Sequence, residues 1–191
     1  MQEVTIRSGD VGVALLYNAT FLSLTGVSAS IQSTDSTERV TKPILKQLSD
    51  FLERGDTHPV AVAADNDASA IRVTFPESTS VQSLSERLLT TPPILQYDLL
   101  EHVVKDVQLQ LSYMIAKGVS VHTLSANDIY AVEVEPEHWR YVLLTESISV
   151  KGGSTAAFLA FLQQYVGHIY LGTKLFAYVK RLEKFREAEW I

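Results

Sequence analysis

Val119-Ser120-Val121-His122-Thr123-Leu124-Ser125-Ala126-Asn127-Asp128-Ile129-Tyr130 is the stretch whose reading decides the fold. The residues before it, 97–117, place Leu99, Val103, Val107, Leu111 and Met114 on one helical stripe. Glu101, Lys105 and Gln108 fall off that stripe, and Gly118 supplies a C-terminal stop. Two short apolar segments follow, 129–134 and 141–144, which read as the strands of a hairpin. The expected order is therefore helix, tight loop, β-hairpin.

That order resembles the catalytic core of a protein kinase, whose loop reads H-R-D-L-x-x-x-N and whose D-F-G follows the next hairpin. With Leu124 at the loop leucine, Val121 takes the His position, His122 the Arg and Thr123 the catalytic Asp. Asp128 falls at the metal-binding Asn. After the hairpin, Thr145, Glu146 and Ser147 take the places of Asp, Phe and Gly. Phosphoryl transfer depends on positioning and charge neutralisation. A threonine at neutral pH does not accept a hydroxyl proton as a carboxylate does, and it is a poor Mg²⁺ anchor, because Mg²⁺ prefers hard, charged oxygens.

The N-terminal half lacks the matching parts. There is no G-x-G-x-x-G; the nearest run is Gly9-Asp10-Val11-Gly12, followed by the bulkier Val13 and Ala14. The strand Val60-Ala61-Val62-Ala63-Ala64 carries no lysine. Lys42 and Lys46 share one face of a helix expected over residues 41–55, opened near Pro43 and stopped by Gly55. Glu53 lies in its last turn with no strand lysine to pair with. Loop acid, D-F-G acid, glycine-rich loop and strand lysine are thus all replaced, which argues against ATP chemistry.

In order and local pattern the chain also resembles the cytoplasmic domain of the EssB/YukC family, the kinase-like membrane component of type VII secretion systems in Gram-positive bacteria. The residues that carry the resemblance are the helix 45–54, the strand Ala70-Ile71-Arg72-Val73-Thr74-Phe75, and the linker Phe75-Pro76-Glu77-Ser78 into Val81-Gln82-Ser83-Leu84. The helix 97–117 comes next, and Leu124-Ser125-Ala126-Asn127-Asp128-Ile129-Tyr130 is the strongest local match. The resemblance spans roughly residues 40–187. It implies a non-catalytic pseudokinase domain that docks components or substrates of the secretion apparatus. It further implies a homodimer of the full-length protein, a membrane span beyond Ile191, and a cytoplasmic position for this domain of a cell-membrane protein.

Composition is compatible with this. The 191 residues suffice for one compact bilobed domain, an N-lobe over 1–90 and a reduced C-lobe over 91–191. No cysteine is present, so no disulfide framework or Cys-based zinc site is expected. The net charge of −6 argues against a nucleic-acid partner. The basic cluster Lys174, Lys180, Arg181, Lys184 and Arg186 is interleaved with Glu183, Glu187 and Glu189 and reads as a solvated helix face. No signal peptide is expected at Met1-Gln2-Glu3. The most apolar window, 156–175, is interrupted by Gln163, Gln164, His168 and Lys174 and reads as a core helix.

Other chemistry-bearing residues have plainer readings. Asp65-Asn66-Asp67 reads as a turn between strands 59–64 and 70–75 rather than a Ca²⁺ loop, because the central Gly is missing. His58, His102, His122, His138 and His168 show no metal-ligand spacing. His122 reads as a histidine in a buried turn, bonded to backbone. Gly152-Gly153 precedes a helix over 155–171 that Ser154 or Thr155 is expected to cap; a phosphate cradle there would need the rest of a P-loop. The aromatics Phe158, Phe161, Tyr165, Tyr170, Phe176, Tyr178 and Phe185 read mostly as core, with some free for protein contact. Residues 4–8, 11–17 and 21–31 are expected to be strands, and Thr90-Thr91-Pro92-Pro93 marks the lobe boundary.

The expectation is an α+β, protein-kinase-like fold: a small antiparallel-sheet N-lobe with one helix and a reduced helical C-lobe. No catalytic, cofactor-binding or metal residue is assigned, and no cofactor. The alternative is an unconventional kinase-like phosphotransferase binding Mg-ATP through Asp128, Glu146 or Asp67. A third reading is a soluble adaptor unrelated to secretion.

Overall fold

The computed structural model describes residues 3–7, 15, 18–19, 21–22, 25–27, 29–32, 60–64, 70–116, 119–145, 147–149 and 152–165. The fold is α+β and divides into two compact units. The first takes residues 1–82 and 130–146; the second takes 83–129 and 147–191. Residues 130–146 of the hairpin group with the first unit.

In the first unit, β1 (Glu3–Arg7), β2 (Ala29–Gln32), β3 (Val60–Ala64) and β4 (Ala70–Thr74) form one sheet in the order β1-β4-β3-β2. The alternation in β1 is strict: Val4 and Ile6 are buried while Glu3, Thr5 and Arg7 are exposed. Register places Val4 beside Val73, Val73 beside Val62 and Val62 beside Ile31, a single β-branched row across all four strands. β1–β4 and β3–β4 are antiparallel, whereas β2–β3 is parallel. A parallel pair needs a long crossover between its strands. That crossover lies outside the described residues, as do the expected helix 41–55 with Lys42, Lys46 and Glu53, the Gly9–Gly12 run, and Asp65-Asn66-Asp67.

Two strand expectations are corrected here. Leu15, Asn18, Ala19, Phe21 and Leu22 are helical, and only Ala29–Gln32 of the second stretch is a strand. Leu15, Asn18, Ala19 and Leu22 stand at i, i+3, i+4 and i+7, and all four are buried. Burial on a 3.6-residue period therefore overrides the strand propensity of the run. The helical stretch closes at Gly26 (φ 83°), with Val27 N donating to Leu22 O at 3.0 Å and the Thr25 hydroxyl donating to Leu22 O at 2.7 Å.

A second sheet, in the order β5-β7-β8, joins β5 (Val81–Ser83), β7 (Ile129–Glu135) and β8 (His138–Leu143). At the hairpin tip Glu137 adopts φ 62°, and its amide donates to the Glu133 carboxylate at 2.9 Å. Residues 141–145 at the end of β8 are buried.

In the second unit, α1 (Leu84–Thr90) is N-capped by Ser83, whose hydroxyl accepts from Glu86 N at 3.2 Å. α2 (Pro93–Ala116) follows, beginning at the proline itself rather than four residues later. Pro has no N–H to lose in a first turn. The Gln96 side chain ties the α1–α2 corner by donating to Leu88 O and Thr91 O, each at 3.2 Å. The expected apolar stripe of α2 is buried. Gln108, expected off the stripe, is buried as well, and its amide is satisfied by Ser112 Oγ at 2.6 Å. α2 ends with Val119 N donating to Met114 O at 3.0 Å. β6 (Ser120–Val121) pairs antiparallel with β9 (Ile148–Ser149), and α3 (Ser154–Tyr165) closes the described chain. Phe158 and Phe161 of α3 are fully buried, and the Tyr165 ring lies 4.9 Å from that of Phe161, tilted by 41°. The remainder of the expected terminal helices, with the basic cluster and the later aromatics, lies outside the described residues.

Candidate functional site

The loop that decides the sequence reading is built in the second unit. β6 and β9 bring its start against the residues that follow the hairpin, with Ser120 opposite Ser149 and Val121 opposite Ile148. Pairing continues past the strands: His122 N donates to Ser147 O at 3.0 Å. Thr123 N donates to Ser147 Oγ at 3.1 Å, and the Thr123 hydroxyl donates to the same oxygen at 2.9 Å. The positions aligned with the catalytic Asp and the D-F-G glycine, Thr123 and Ser147, are therefore in direct contact. What joins them is a pair of neutral hydroxyls.

Asp128, aligned with the metal-binding Asn, serves its own loop. Its Oδ2 accepts from Ser125 N at 3.2 Å and from Ser125 Oγ at 3.1 Å, while Asp128 N donates to Ser125 O at 3.1 Å. Asn127 N donates to Ser125 Oγ at 3.2 Å. These bonds close a turn over Ser125–Asp128 of the kind that Asp and Ser side chains build by bonding nearby backbone. The turn is anchored on both sides. Ser85 donates to Asn127 Oδ1 at 2.8 Å through its hydroxyl and to Ala126 O at 3.3 Å through its amide. Ala126 N donates to the Tyr165 hydroxyl at 3.3 Å. Leu124, Ala126 and Ile129 are buried beneath it.

Ser154 does not cap its own helix. Ala157 N donates to Gly153 O at 2.9 Å, so Gly153 holds the cap position, and Ser154 Oγ instead accepts from Val121 N at 2.9 Å. The expected cap thus clamps β6 to the start of α3. Gly152 (φ 84°) and Gly153 (φ 121°) occupy backbone regions that favour glycine, and a Cβ on Gly153 would lie 3.6 Å from Val121 O. Backbone geometry accounts for the Gly-Gly pair without a phosphate. Thr155 Oγ1 is buried without a hydrogen-bond partner. His122 is exposed rather than buried, and its backbone amide is what holds it to Ser147.

In the first unit, Thr145, aligned with the D-F-G acid, is buried and gripped by one side chain. Thr145 N donates to Asn18 Oδ1 at 3.1 Å, and Asn18 Nδ2 donates to Thr145 O at 3.4 Å. The amide imitates the backbone of a neighbouring strand across a separation of 127 residues. Nothing in the sequence reading drew attention to Asn18; the available signal was a lone amide among Leu15, Leu16, Ala19 and Leu22. Of the acids in the phosphotransferase alternative, Asp128 alone is described; Asp67 and Glu146 lie outside the described residues. Among the described residues no three His, Asp or Glu side chains are grouped to hold a metal ion. No described helix is long and apolar enough to cross a membrane. No protein-family model, curated protein or solved structure matches this chain.

Proposed function

We propose that this chain is a non-catalytic, protein-kinase-like domain that acts as a scaffold or docking module, and that it serves a type VII secretion apparatus as the cytoplasmic pseudokinase domain of an EssB/YukC-type component. The observation that carries the reading is the contact between Thr123 and Ser147 within a helix–loop–hairpin–strand series, α2 to β9. The series has the order in which a kinase presents its catalytic loop and D-F-G segment. The residues at the chemical positions have been turned to structural work: hydroxyls bond to each other, and Asp128 closes a turn. The secretion part rests on the resemblance of residues 40–187 alone, and partner proteins of that apparatus are its expected ligands.

A thermal-shift titration with ATP and Mg²⁺ tests the non-catalytic part. Ligand at about a hundred times its Kd stabilises a fold by ~2.7 kcal/mol, a Tm rise of roughly 5–10 °C for a chain of this size. The expected result is no shift at millimolar nucleotide. A Mg²⁺-dependent shift, or phosphotransfer that Asp128→Ala reduces to background, refutes the proposal in favour of the phosphotransferase. The secretion part is tested by in-cell crosslinking of the full-length protein, and capture of no secretion component sinks it.

A further inference from the structure

We draw no further inference here: the strongest candidate, the exposed apolar patch of Leu89, Ile94, Leu95 and Tyr97 at the corner between α1 and α2, carries none, because nothing in the structure shows what covers it.

Discussion

Thr145 and Ser147 flank the same position in the chain and are held by opposite means. Thr145, in the first unit, is 1 % exposed and has both backbone groups on one buried amide, that of Asn18. Ser147, in the second unit, is half-buried and bonds to the exposed Thr123. Burial decides the energetic weight of each. A buried polar group that loses its partner bears its full desolvation cost, whereas an exposed hydroxyl exchanges one partner for water. The two contacts share one feature: neither involves a charge. Hydrogen bonding among neutral groups accounts for both contacts.

The comparison is broken most forcefully at Asn18. Asn18→Ala leaves the Thr145 amide and carbonyl without this partner in a site closed to water, and is expected to cost about 2–4 kcal/mol in urea denaturation. Asn18→Asp keeps the acceptor for Thr145 N but sets a carboxylate against Thr145 O, and should destabilise at least as much. A loss below about 1 kcal/mol for both would mean that the amide does not hold the strand end.

Gly153→Ala comes next. Its φ of 121° is a region that L side chains rarely adopt, so the cost is backbone strain of about 1–3 kcal/mol even though the nearest atom to the new Cβ is at ordinary contact distance. Urea denaturation reads it, and a neutral result would remove strain as the reason for the Gly-Gly pair. Ser154→Ala should cost about 1–2 kcal/mol, because Val121 N loses a buried acceptor. If Ser154 were an ordinary cap, glycine would be nearly as good as serine. Ser154→Gly matching Ser154→Ala in lost stability therefore separates the clamp from the cap.

Much of this was legible in the sequence, and the failures have identifiable causes. The α2 stripe, the strands 60–64 and 70–74, and the loop between helix and hairpin follow from period and turn chemistry, because each is a local pattern long enough to state its own period. The run Leu15–Leu22 misled because its apolar residues satisfy a strand and a helix equally, and only burial of Leu15, Asn18, Ala19 and Leu22 on one side selects the helix. The Asn18–Thr145 pairing was invisible because its partners are 127 residues apart. The expected cap at Ser154 or Thr155 is not found, because Gly153 holds that position and Ser154 Oγ accepts from elsewhere. The amide that takes it belongs to Val121, a contact across 33 residues that no local rule contains.

The smallest effect sharpens the comparison from the exposed side. Thr123→Val removes the hydroxyl that donates to Ser147 while keeping shape and branching, and Thr123 N retains its own bond to Ser147 Oγ. Because both hydroxyls reach solvent, stability is expected to stay within about 0.5 kcal/mol of wild type in urea denaturation. Thr123→Asp puts a carboxylate where a kinase carries its catalytic one, next to a serine that can donate to it, and should likewise fold. If that variant still shows no phosphotransfer from Mg-ATP, the missing acid is not the only defect, as the lysine-free strand 60–64 already suggests. If it acquires phosphotransfer, then the loop geometry has been kept and a single threonine separates it from catalysis. The structural account of Thr123 would survive that outcome, but the docking reading would lose its ground, because a fold retained only for protein contacts has no reason to preserve a site one residue short of catalysis.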